Sequence, residues 1–248
     1  RKCRCMKFLC IISGCPAGAR KWHISYFAML LHRKKLPKTR EAVIEWSHRF
    51  EKQVTAMKYA LTNGVILDGS KDMQPQRGKT VLTAGEIITA IVQDDADLNG
   101  YTVIDLQNRY LMPGLINMHV HLAGNGKPQK KQRDNEALVK KIMASGLTRA
   151  VAYRMVAGFA KLELLSGVTT IRTVGGLGSF DTRLRDEIAA GCRVGPRILA
   201  ANQGISVPGG HMAGSVAVAA HSNEEALQVL AQAESEGVDL VKLMITGG

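Results

Sequence analysis

Two histidines one residue apart, His119 and His121, close the apolar run of residues 111–118. Side chains along a strand alternate between faces, so positions i and i+2 project together. Two neutral imidazoles on one face reach a single divalent ion such as zinc. Ala123-Gly124-Asn125-Gly126 follows and breaks regular structure. The pair therefore sits at the C-terminal end of its strand, where α/β barrels carry their sites. Buried strand context sharpens this reading, because two unpartnered histidines in an apolar strand are costly.

Lys242 lies in a second apolar run, residues 238–245. A lysine in a buried strand must be paired, neutral or chemically modified. Either it is a barrel-interior ion-pair partner, or its desolvated free amine is available to react. Gly209-Gly210-His211 follows the apolar segment around residues 197–201. Glycines let backbone approach a ligand closely, and His211 is expected on the same C-terminal face as His119. His221 precedes a capping serine and reads as the exposed start of a helix.

These residues need elements to position them. Residues 59–67, 80–83, 87–92 and 102–105 are short β-forming runs punctuated by Gly, Asp and Asn, the pattern of a small β domain. Beyond Pro113-Gly114 the pattern changes to alternating helix and strand. A helical run over 149–166 ends at Gly167, and β-branched residues 168–174 follow. A helix from about residue 181 ends at Gly191. Ser222-Asn223-Glu224-Glu225 is a capping box opening a helix that ends at Gly237. Glycine after a helix turns the chain into the next strand, and this rhythm predicts parallel βαβ units. With residues 115–121 as the first, four strands are expected, as half a barrel or a small open sheet.

Gly175-Gly176-Leu177-Gly178 stands between a strand and a helix and invites a dinucleotide reading. The G-x-G-x-x-G pattern fails because Asp181 takes its last position. A nicotinamide oxidoreductase remains only as an alternative.

Charge and cysteine divide the chain near residue 57. Of 33 Lys and Arg, 13 lie in residues 1–56 against 3 of the 21 acids, leaving 20 against 18 for the rest. The main part has no electrostatic footprint for nucleic acid. Cys3, Cys5, Cys10 and Cys15 are in the leader and only Cys192 lies beyond it. That points to a reducing compartment, taken as the cytoplasm. The leader's apolar runs are too short to span a bilayer. Its residues 6–15 have the outline of a short lipoprotein signal, and its cysteines and histidines lack the spacing of a zinc site. The expectation is that residues 1–56 are non-native or upstream-encoded, and that a chain starting at Met57 is at least as soluble.

The combination of motifs resembles the amidohydrolase superfamily, in its imidazolonepropionase-like and prolidase-like branch. Residues 110–121 (YLMPGLINMHVH) resemble that family's first barrel strand, and the run beginning Leu61-Thr62-Asn63-Gly64 its small β domain. Residues 167–172 (GVTTIR) resemble its second strand. Gly209-Gly210-His211 resembles a branch-specific loop, and residues 241–244 with Thr246-Gly247-Gly248 its fourth strand. The resemblance implies an α/β fold: a small β-sandwich-like domain over 57–110, then about four βα units of a (β/α)8 TIM barrel over 111–248. It implies metal ligation by His119 and His121. It also implies a Lys242 carbamate bridging two divalent ions, most simply Zn2+, and a His211 that lines the substrate pocket. The implied chemistry is hydrolysis of C–N bonds, in dipeptides or cyclic amides, at a carbonyl that the metals polarise. Thr173 stands where the branch often has an acid. The family's later histidines and its proton-shuttling aspartate fall after residue 248, so no catalytic acid or base is assigned here and the piece is expected to be inactive.

Two other readings compete with this one. A non-catalytic βα module that forms homo-oligomers would use the sheet edges and apolar helix faces that half a barrel leaves unpaired. A basic leader would bind nucleic acid or an anionic membrane, although no membrane span is expected.

Overall fold

A computed structural model of the chain describes residues 9–12, 57–85, 87–124, 126 and 134–245. Most of the leader readings, including Cys3, Cys5, Cys15 and all of the signal-like segment except residues 9–12, fall outside the described residues. The chain divides into two compact units at Leu115/Ile116.

The first unit holds two sheets. Its strands are β1 (Leu9–Ile12), β2 (Lys58–Thr62), β3 (Val65–Ile66), β4 (Lys79–Ala84), β5 (Ile87–Gln93), β6 (Thr102–Asp105) and β7 (Tyr110–Pro113). One sheet runs β5-β4-β2-β6 and the other β1-β7-β3. Leu61, Ile66, Val81, Leu106 and Leu111 are buried together as its core. β7 is paired on both sides, in parallel with β3 (Val65 opposite Tyr110) and antiparallel with β1 (Leu9 opposite Pro113). A short stretch of the leader thus forms an outer strand of this unit, and β7 belongs to it as well.

The second unit is α/β. Its elements are β8 (Leu115–Val120), α1 (Asn135–Met143), α2 (Gly146–Leu165), β9 (Val168–Thr173), α3 (Phe180–Ala189), β10 (Arg197–Leu199), β11 (Gly204–Ser206), β12 (Ala217–Ala219), α4 (Asn223–Ser235) and β13 (Leu243–Met244). Two three-stranded sheets run β8-β9-β10 and β12-β11-β13. Pairing is parallel between β9 and β10, between β11 and β12, and between β11 and β13. Val120, Leu122, Tyr153, Val156, Ala160, Ile171, Leu184, Ile198 and Ala200 form the core under α2 and α3.

α2 starts three residues before the periodicity suggests, because Ser145 caps it by accepting from the Thr148 backbone N–H. It ends where Gly167, at φ +97°, takes a backbone conformation that residues with a Cβ avoid. The Ser222 cap is present: its side chain accepts from the Glu225 N–H at 3.3 Å, and Glu225 Oε2 accepts from the His221 N–H at 2.8 Å. Ser222→Ala is therefore expected to cost about 1 kcal/mol, read as a lower urea midpoint with unchanged slope.

Two sequence expectations are corrected. The strand expected over 238–245 is ordered as strand only at Leu243–Met244. Ahead of it Asp239 meets Ala200 partly through its side chain: the Asp239 N–H donates to the Ala200 carbonyl at 2.8 Å, while Asp239 Oδ2 accepts from the Ala200 N–H at 2.8 Å and from Arg185 at 2.9 Å. The stretch after residue 201 also adds strands beyond the four expected, although Gly209-Gly210-His211 itself lies in a turn. It contains β11 and β12, separated from β10 by Ala200–Gln203 with Asn202 at φ +55°. Asn202 is buried and satisfied: Oδ1 accepts from Thr182 N–H, and Nδ2 donates to Thr182 and Glu236. It ties this strand break to α3 and to the end of α4.

Candidate metal centre

The second unit contains all four residues singled out from the sequence. β8 places His119 and His121 with their ring centroids 5.3 Å apart, in an edge-to-face arrangement. His119 is exposed and His121 half-buried, so the strand is more open than its apolar composition implies. The Asn117 carboxamide oxygen accepts from the His119 backbone N–H at 3.2 Å.

His121 is held from behind. Its Nδ1 lies 3.0 Å from the carbonyl oxygen of Gly175, just past β9. A carbonyl only accepts, so Nδ1 is the donor in this contact, and in the neutral ring that leaves the lone pair on Nε2. This is the arrangement metal-ligating histidines adopt. The donor set thus fits a divalent ion at the His119–His121 face.

Lys242 is half-buried and immediately precedes β13; it does not lie in a fully buried strand. Its carbonyl accepts from the Ile205 N–H at 2.8 Å, which anchors it beside β11. His211 is exposed, on the turn closed by the Gly210 N–H to the Val207 carbonyl at 2.9 Å. These groups share one electrostatic neighbourhood. Desolvation, and then the charges of His121, Lys242, Arg172 and His211, hold the His119 imidazole below its usual pKa. No cluster of three or more His, Cys, Asp or Glu placed to hold a metal occurs among the described residues.

Sequence reasoning missed two supporting groups. Arg172 donates from Nε to the Met118 carbonyl at 2.7 Å, bracing β8 beside His119. The alternation of β9, with Val168, Thr170 and Arg172 half-buried and Thr169, Ile171 and Thr173 buried, carries the signal that would have found it. The second is the Gly175 carbonyl, which no side-chain pattern announces. Asp181, the residue that spoils the dinucleotide pattern, stands against Gly176 with its carboxyl 1% exposed.

Residues 110–248 match the amidohydrolase family, and the chain belongs to it. Among solved structures it is similar to a prolidase from Bifidobacterium longum described as putative, at 30% identity and TM-score 0.58. That match covers 78% of this chain and 42% of that one. It is also similar to a Xaa-Pro dipeptidase with methionine bound in its active site, at 28% identity and TM-score 0.60, covering 77% and 48%. An amidohydrolase structure at 21% identity and TM-score 0.63 shares the fold over 77% of this chain and 48% of its own. The chain thus spans less than half the length of these structures, and the prolidase-like resemblance read from its motifs agrees with them. A comparison with curated proteins finds no match. No helix among the described residues is long and apolar enough to cross a membrane.

Proposed function

We propose that residues 111–248 supply the first four βα units of a metal-dependent amidohydrolase barrel, and that residues 57–110 supply the small β domain before it. The protein so built hydrolyses C–N bonds in a small substrate, a dipeptide or a cyclic amide. The carrying observation is the His119–His121 pair, with His121 Nδ1 fixed by the Gly175 carbonyl. In this reading His119 and His121 hold a divalent ion, most simply zinc. The Lys242 amine adds to CO2, forming an N–C bond and releasing a proton, so that a carbamate links two such ions. His211 lines the substrate pocket, and Arg172 keeps β8 in place. When bound, the metal supplies Lewis acidity toward an amide carbonyl. The single cysteine of residues 57–248 fits a reducing cytoplasm.

The test is metal content. The chain, equilibrated with Zn2+ and bicarbonate and then desalted, is expected to retain zinc by elemental analysis, and His119→Ala to lose most of it. Equal zinc in both proteins would remove the histidine pair from the site.

A further inference from the structure

Asp181 is a buried carboxyl that the histidine pair does not use directly. It lies in the first turn of α3 and is 1% exposed. Its Oδ2 has no hydrogen-bond partner among the described residues, and Thr173, at the end of β9, bonds its side chain. Thr173 in turn accepts from the Ala201 N–H at 3.3 Å. Such a group is costly to bury, so its position needs a reason.

The reason lies in the two glycines above it. A Cβ on Gly176 would come within 2.6 Å of Asp181 Oδ2 and 2.9 Å of Oδ1, so the carboxyl rests directly against this backbone. One peptide earlier, a Cβ on Gly175 would come within 3.1 Å of His121 Cε1 and 3.2 Å of Val216 O. The Gly175-Gly176 backbone therefore has the His121 ring against its first residue and the Asp181 carboxyl against its second. Its carbonyl is the group that fixes the ring.

We infer that Asp181 is a positioning residue for His121: its carboxyl supports the Gly175-Gly176 peptide so that the Gly175 carbonyl meets Nδ1 and leaves Nε2 facing the site. The value of that orientation for metal binding rests on the function proposed above; the orientation itself does not. Removing the support lets the peptide rotate, and the ring loses its fixed tautomer. Two features make this separable from general stability. Asn has the same shape as Asp and fills the same space without charge. Gly176 lies outside the left-handed region, so Ala there carries no backbone strain and its methyl meets the Asp181 carboxyl first.

The experiment uses metal-free, histidine-selectively 15N-labelled full chain and reads the His121 ring by NMR. The parent is expected to show the Nδ1-protonated tautomer. Asp181→Ala and Gly176→Ala are each expected to lose that signature, with interconverting tautomers in its place, whereas Asp181→Asn retains it. In the double variant Gly176→Ala/Asp181→Ser the methyl has room, and the signature lost in Gly176→Ala returns. Should Asp181→Ala fail to fold, Asp181→Asn and the Gly176→Ala pair still decide. An unchanged His121 ring in Gly176→Ala, its loss in Asp181→Asn, or no recovery in the double variant would each overturn the assignment. Because no metal is present, a protein that binds none would still give the expected result.

Discussion

Replacing Lys242 by Ala is expected to lower zinc affinity by about 100-fold or more, since loss of even an outer-shell partner costs 10–100-fold. Lys242 adjoins β13, and its charge is among those acting on His119. In the proposed reading a carbamate there would replace a positive charge with an anionic ligand, so truncation would remove both the ligand and the compensation for the metal's charge. Acetate or propionate is expected to restore part of the affinity in Lys242→Ala by occupying the vacated space. Lys242→Arg should bind as poorly as Lys242→Ala and show no rescue, because its guanidinium stays charged and fills the space. Titration with a zinc-competing chelator, with and without added carboxylate, distinguishes these outcomes. Unaltered affinity in Lys242→Ala would return Lys242 to an ordinary half-buried lysine.

The second large effect is on stability against pH. Burial pushes the Asp181 carboxyl up to about 6 from 3.8, the Thr173 hydrogen bond opposing the shift. Below pH 3.8 both folded and unfolded chains hold the proton. Between 3.8 and about 6 the unfolded chain has released it while the folded chain retains it, so stability falls as pH rises. Above about 6 the penalty is constant, on the order of 3 kcal/mol at about 1.4 kcal/mol per pH unit. Asp181→Asn, which cannot ionise, is expected to flatten this part of the profile, gaining on the parent from acid to neutral pH. Urea unfolding at several pH values across the window provides the measurement. A parent-to-variant difference independent of pH would show that Asp181 ionises alike in both states.

What could be read from residue types reflects which interactions are local. The Ser222 cap and the glycine-ended helices depend on neighbours within a few positions, and the structure carries them. The shared face of His119 and His121 follows from alternation alone. Residues 238–245 look like one strand because apolar composition reports burial, not hydrogen bonding. There Asp239 serves the Ala200 N–H with a side chain, and only two residues remain in the ladder. The β10–β11 break depends on Asn202 meeting Thr182 and Glu236, partners 20 and 34 residues away. Tyr153 is a similar case. It packs edge-to-face on Phe180 at 5.3 Å, under the Arg183 guanidinium at 4.0 Å. Nothing in α2's own pattern brings those residues together. The role inferred for Asp181 is of the same kind, since its contact with Gly176 arises only when the loop folds back over the first turn of α3.

The helices are anchored unequally, and this grades the cooperativity of the second unit. α2 buries Ala152, Tyr153, Val156, Ala160 and Leu164, whereas α4 buries none of its 13 residues and leaves Leu227 63% exposed. With so little apolar area sequestered, α4 is expected to exchange its amides at a small fraction of the global unfolding free energy, and α2 and β9 only with the whole unit, which native-state hydrogen exchange would read. The Asn202–Glu236 hydrogen bond joins the C-cap of α4 to the strand break before β11. Local opening of α4 would break that bond and leave Asn202 held only by its two hydrogen bonds to Thr182 of α3, loosening the strand break without releasing it.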